Sequence, residues 1–125
     1  MMDLVGTQIS DAERELMQHP TVGGVILFTR NFESIEQIVA LVSEIHALRT
    51  PHLLISIDHE GGRVQRFHEG FTKLPPANTF GQIYKHDQQK AREYAELTGW
   101  LMAAELRAIG VDFSLTRFPV PSVDR

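Results

Sequence analysis

At 125 residues the chain is long enough to bury one compact core. Hydrophobic residues make up 42% and charged residues 22%, and 12 basic against 16 acidic side chains give a net charge of −4, with no basic stripe to attract nucleic acid. There is no cysteine, which excludes disulfides and thiolate metal sites and fits a reducing cytoplasm. No apolar run approaches the ~20 residues of a membrane span, and the opening Met1-Met-Asp-Leu-Val-Gly6 lacks the pattern of a signal peptide.

Met2 to Val5 reads as a weak strand. Ser10-Asp-Ala-Glu13 is a capping box, so a short helix is expected to about His19, stopped by Pro20. Gly23 to Thr29 is a nearly continuous apolar run, the pattern of a strand buried on both faces. A second capping box, Ser34-Ile-Glu-Gln37, opens a helix with Ile35, Ile38, Val39, Val42, Ile45 and Leu48 at helical spacing, ending near Thr50-Pro51. Leu53 to Ile57 is another buried strand. Phe67 to Gln82 carries Gly70, Pro75, Pro76, Asn78 and Gly81 and reads as a long loop. A third helix fits Gln88 to Ile109, with Ala91, Tyr94, Ala95, Thr98, Leu101, Met102, Glu105 and Ile109 as its face and Gly110 as its stop. Val111 to Leu115 is a fourth strand.

Strands alternating with helices imply parallel strands joined by right-handed crossovers. Two α/β architectures fit: a small doubly wound sheet, or the start of a (β/α)8 barrel, which needs ~250 residues when complete. Both place functional groups at the carboxyl ends of strands. Thr29-Arg30-Asn31, Asp58-His59-Glu60 and Ser114-Leu115-Thr116 fall there. Asp58 is the most informative of them, because two glycines and two arginines follow it at once. The glycines allow a sharp turn, and the arginines add fixed donors.

Other chemistries fit less well. His59-Glu60-Gly-Gly-Arg63 is not the two-histidine helix motif of zinc hydrolases, and His59, Glu60 and His68 converge only in an unusual loop. His19, His46, His52 and His86 read as surface residues, so no metal site and no cofactor is expected. Gly61-Gly62 lacks the lysine and hydroxyl that follow in a phosphate loop. Trp100 reads as helix packing.

Three stretches carry a resemblance: Gly23-Gly-Val-Ile-Leu-Phe-Thr-Arg-Asn31, Ile57-Asp-His-Glu-Gly-Gly-Arg-Val-Gln-Arg-Phe67 and Gly99-Trp-Leu-Met-Ala-Ala-Glu-Leu106. In matching order, from about Met1 to Thr116, they resemble the amino-terminal part of bacterial family 3 glycoside hydrolases. The nearest branch is the cytoplasmic β-N-acetylhexosaminidases of cell-wall recycling. The resemblance implies a (β/α)8 barrel that removes terminal N-acetylglucosamine from muropeptides through a glycosyl-enzyme intermediate. It implies that residues 1–125 are one partial domain, supplying three βα units and the fourth strand. No nucleic-acid, membrane or obligate protein partner is expected.

It further implies that Asp58 and Arg66 hold the sugar. The lysine-histidine sugar-binding pair, the histidine-aspartate acid/base pair and the aspartate nucleophile belong to later loops, whose motifs do not occur here. No catalytic residue is therefore assigned to this chain. Asp58 alternatively caps the amides of Gly61 and Gly62, and Arg66 alternatively pairs with Glu60 or Glu69. Arg63 is expected in a structural ion pair and Glu60 as a brace for the glycine turn. Arg30 either lines the pocket or pairs with a carboxylate.

The family passes from its fourth strand directly into Pro-Val-Leu-Asp. Here Arg117 and Phe118 intervene, and Pro121-Ser122 stands where Leu-Asp is expected. A truncated or frameshifted product is the expectation. The alternatives kept open are a non-catalytic carbohydrate-binding or assembly module and a small doubly wound domain for a phosphorylated ligand.

Overall fold

The computed structural model describes residues 1–116. The altered segment from Arg117 to Arg125 lies outside the described residues. Four parallel strands form one sheet in the order β1-β2-β3-β4: Met2–Asp3, Gly24–Leu27, Leu54–Ile57 and Phe113–Ser114. The order never reverses, whereas a doubly wound sheet reverses at its switch point. Right-handed crossovers between strands added in one direction put every helix on the same face. This is the winding of a (β/α)8 barrel, begun here over its first four strands.

Helices α1 (Asp11–Gln18) and α2 (Ile35–Ala47) lie in the first two crossovers. The third crossover holds two, α3 (Asn78–Tyr84) and α4 (Gln88–Ala108). Helix α3 interrupts what the sequence presents as continuous loop. It buries no residue and has no side-chain cap, so it leaves no periodic apolar signal. Among the described residues, no helix is long and apolar enough to cross a membrane.

Helices α1 and α2 both start on a serine cap. Ser10 Oγ accepts from the Glu13 amide at 3.3 Å, and Glu13 Oε2 accepts from the Ser10 amide at 2.8 Å. Glu13 also accepts from the Val5 amide at 2.8 Å, tying the segment after β1 to α1. The Ser10 hydroxyl and these two amides hold the Glu13 carboxyl below its ordinary pKa, against a smaller opposing effect of burial. Ser34 caps α2 through the Gln37 amide at 3.1 Å. The return bond differs from a capping box, because Gln37 Oε1 accepts from Glu33 rather than Ser34. Its Nε2 donates to the carbonyls of Thr7 and Asn31.

The core sits between the sheet and the helices. Val25, Leu27, Ile55 and Ile57 pack with Met17, Ile38, Leu41, Val42, Ile45, Met102, Leu106 and Ile109. Two positions leave the expected faces. Tyr94 is exposed while Leu106 is buried, and Val39 is exposed while Leu41 is buried. Trp100 is 67% exposed, so it does not pack among the described residues.

Beyond β3 the loop builds an aromatic cluster. Phe32 stacks on Phe67 with centroids 4.8 Å apart, and Phe71 lies 5.6 Å from Phe67. The His59 ring is buried against Phe67 and Phe71 at 6.3 and 5.9 Å. Burial pushes its pKa down to about 4, and the Glu105 carboxylate only partly opposes this.

Two stability predictions follow from these buried groups. Glu13→Gln removes charge-assisted bonds and is expected to cost about 1.5–3 kcal/mol in urea unfolding, with the exposed Glu15→Gln near neutral. For His59, the unfolded chain binds the proton more readily, so stability is full above pH 6.5 and falls as pH drops toward about 4. The slope reaches at most about 1.4 kcal/mol per pH unit. Urea midpoints measured from pH 7 to 5 check this. An equal slope in His59→Gln refutes the assignment, because Glu13, held below its ordinary value, contributes mainly at lower pH.

Candidate functional site

Because all strands are parallel, their carboxyl ends gather along one edge. Leu4 follows β1, Phe28 follows β2, Asp58 follows β3 and Leu115 follows β4. Asp58 is therefore flanked by the ends of β2 and β4. The β4 side is clamped by hydroxyls: Ser114 and Thr116 donate to the His59 carbonyl at 3.0 and 2.8 Å, and the Leu115 amide donates to Ile57 at 2.8 Å. These bonds fix the backbone on both sides of Asp58.

The loop then returns on itself. The Val64 amide donates to Gly61 at 3.2 Å, and the Glu60 amide donates to Val64 at 2.6 Å, so the turn closes through the backbone. Gly61 and Gly62 have φ of 85° and 59°. A Cβ on Gly61 would stand 2.5 Å from the Pro75 carbonyl oxygen, and one on Gly62 would stand 2.6 Å from Pro76 Cβ. What approaches these glycines closely is thus the second half of the same loop. The Gly62 amide donates to Leu74 at 2.9 Å, which leaves Asp58 without the amide-capping role for that residue.

Gln65 holds the two halves together. Its buried amide donates to Phe67 and Thr72 at 3.1 and 2.9 Å, and its oxygen accepts from Leu74 at 3.0 Å. Sequence reasoning missed this residue. Its only signal is a neutral amide between Val64 and Arg66 in a stretch otherwise rich in charge.

The consequence is that Arg66 faces Asp58. Arg66 donates to Asp58 Oδ2 at 2.8 Å, with the two side chains 30% and 28% exposed. The two candidate sugar-binding residues are brought together, and Asp58 is the acid that pairs with Arg66 in place of Glu60 or Glu69. Asp58 Oδ1 has no hydrogen-bond partner among the described residues. The same holds for buried Arg66 Nε. Phe28 lies beneath both guanidinium groups of this edge, 5.6 Å from Arg66 and 4.7 Å from Arg30. It too was not anticipated.

The neighbouring strand end is structural. Arg30 pairs with Asp3 and donates to the Leu4 carbonyl at 2.9 Å, which decides for its carboxylate-paired reading. Asn31 is fully buried and donates to Leu4 and Gly6, joining the ends of β1 and β2. Arg63 is exposed at the turn and has no ion pair among the described residues, contrary to expectation. Among the described residues His59, Glu60 and His68 do not gather as metal donors. A surface depression lined by Asp87, Gln89, Lys90, Glu93 and Tyr94 opens at the start of α4, away from Asp58.

Residues 1–125 match the glycosyl hydrolase family 3 N terminal domain. The chain is 63% identical over 114 residues to a beta-hexosaminidase of Thioalkalivibrio sulfidiphilus, covering 91% of this chain and 33% of that protein. It is 56% identical over 124 residues to a beta-hexosaminidase of Methylobacillus flagellatus, covering 99% of this chain and 35% of that protein. The crystal structure of NagZ from Neisseria gonorrhoeae superposes with a TM-score of 0.92 at 48% identity, over 94% of this chain and 35% of NagZ. That NagZ has also been solved in complex with N-trifluoroacetyl-D-glucosamine. The chain spans about a third of the length of the relatives it matches. With the domain match running over the whole sequence and the strand winding agreeing with it, the chain belongs to glycosyl hydrolase family 3, in its N-terminal domain.

Proposed function

We propose that this chain is the sugar-gripping part of a β-N-acetylhexosaminidase that hydrolyses terminal N-acetyl-β-D-glucosamine residues during cytoplasmic peptidoglycan recycling. The observation that carries the reading is the Asp58–Arg66 pair at 2.8 Å on the carboxyl edge of the sheet. An ionised carboxylate accepts strong hydrogen bonds from adjacent sugar hydroxyls, and the guanidinium donates to ring substituents in a fixed fork. Each group is already anchored by the other, so little ordering cost remains when the sugar arrives. The relatives named beta-hexosaminidase and the N-acetylglucosamine analogue bound by NagZ support this substrate class. A muropeptide is the natural ligand in this reading.

Hydrolysis with retention needs a nucleophile and an acid/base group on opposite sides of the glycosidic bond, ~5 Å apart for paired carboxylates. Asp58 is committed to Arg66, and the resemblance places both catalytic groups in loops beyond this sequence. The chain's part in the reaction is then to bind and orient the terminal sugar. It does not break the bond.

Two measurements test this. The purified chain is expected to release no phenol from a chromogenic N-acetylglucosaminide, and turnover by it alone would refute the division of labour. In an NMR titration with N-acetylglucosamine, Asp58→Ala is expected to weaken binding at least about tenfold, the loss of one charge-assisted contact, and Arg66→Ala to weaken it as well. Equal affinity in Asp58→Ala and the unaltered chain would remove the sugar-binding role. Binding without turnover in a polypeptide that carries the later loops would favour a purely carbohydrate-binding module.

A further inference from the structure

A second cluster lies at the amino ends of the strands, the opposite edge from Asp58. His46 sits in the last turn of α2, His52 in the connection to β3, and Asp112 at the entry to β4. One donor atom from each lies within 4.8 Å of the other two, and among the described residues no other such trio occurs. We propose that His46, His52 and Asp112 bind a divalent transition-metal cation, zinc foremost, which ties these three segments together.

The geometry is nearly that of a ligand set. Zinc bonds of 2.0–2.1 Å in a tetrahedron put neighbouring donors ~3.3 Å apart. His46 Nε2 and Asp112 Oδ2 are 3.4 Å apart, so one edge is already formed. His52 is exposed and stands beside His46 with ring centroids 4.4 Å apart, its donor atom already within 4.8 Å of the other two. Its Nδ1 lies 3.0 Å from the Leu53 carbonyl oxygen. Only a protonated nitrogen can make that bond, which leaves the lone pair on Nε2. A backbone carbonyl on one imidazole nitrogen is the usual support for a metal on the other.

Asp112 is preset in the same way. Its Oδ2 accepts from the Ile55 amide at 2.7 Å, and its own amide donates to Ile55 at 2.9 Å. The carboxylate is thereby held in place before any cation arrives. An ion pair alone would account for His46 and Asp112. It would not account for a second imidazole packed on the first, which a positive charge on both would disfavour. A cation shared by two neutral imidazoles and one carboxylate satisfies all three groups. Such a nitrogen and oxygen set suits zinc and its transition-metal neighbours and not magnesium or calcium, which prefer all-oxygen sites. Three protein donors leave a fourth position to water. The three residues lie at the amino ends of the strands, so the role is to fasten that edge of the sheet, where barrels place stability rather than chemistry.

The test uses the 125-residue chain made without a histidine tag and stripped with a chelator. Calorimetric titration with zinc is expected to show one equivalent bound and a thermal midpoint that rises with zinc concentration. Cobalt(II) is expected to develop the visible absorption of a low-coordinate nitrogen and oxygen site. His52→Ala, which removes an exposed side chain, is expected to weaken zinc at least about tenfold, as is His46→Ala, while His86→Ala leaves it unchanged. Asp112→Asn keeps an acceptor for the Ile55 amide and separates loss of the ligand from loss of the fold. No saturable zinc binding, or binding that His52→Ala leaves unchanged, would overturn the proposal. The sugar titration at Asp58 is independent of either result.

Discussion

The site depends on a loop that folds back on itself. Asp58 and Arg66 are eight positions apart, and an extended chain would carry them more than 20 Å from each other. They meet at 2.8 Å because the chain reverses at Gly61 and Gly62. Each glycine takes a positive φ and leaves no room for a Cβ against Pro75 and Pro76. The reversal is then locked by Gln65, whose three hydrogen bonds satisfy the backbone of both loop halves. In a buried segment every such backbone group needs a partner, and one amide side chain supplies several at once. The Phe32–Phe67–Phe71 cluster closes the loop from below with apolar area. Arg66 is thus positioned by the packing and hydrogen bonds of its chain neighbours Gln65 and Phe67.

Much of this was legible in the sequence, for reasons that can be named. Strands β2 and β3 announce themselves because parallel strands covered on both faces are continuous apolar runs. Helices α1 and α2 announce their starts through Ser10 and Ser34, and Gly110 marks the turn after α4 with a φ of 89°. Asp58 stood out because a carboxylate ends an apolar run and two glycines and two arginines follow it at once. What escaped was whatever depends on the third dimension. Helix α3 buries nothing and so carries no pattern. Trp100 sits at a helical position whose neighbours are apolar, yet it faces outward. The partner of Arg66 could not be chosen among Asp58, Glu60 and Glu69 without the course of the loop. His46 and Asp112 are 66 positions apart, and only the winding of α2 and β4 around β3 joins them.

Asp58 and Asp112 show how one residue type serves opposite ends of the same sheet. Asp112 stands before its strand, and its charge is shared with the Ile55 amide, a fixed backbone donor. Asp58 stands after its strand, and its partner is a side-chain cation on a loop. A backbone donor cannot leave without unzipping β3 from β4. Arg66 meets Asp58 through Oδ2, and Oδ1 has no hydrogen-bond partner among the described residues. The difference follows from the connections at the two edges: the loop leaving β3 spans residues 58–77 and carries Arg66 back to the strand end, whereas the chain entering β4 turns directly from α4 at Gly110. The two acids therefore sit in different settings: Asp112 is held by backbone at the edge where barrels place stability, and Asp58 is held by a side chain at the edge where they place function.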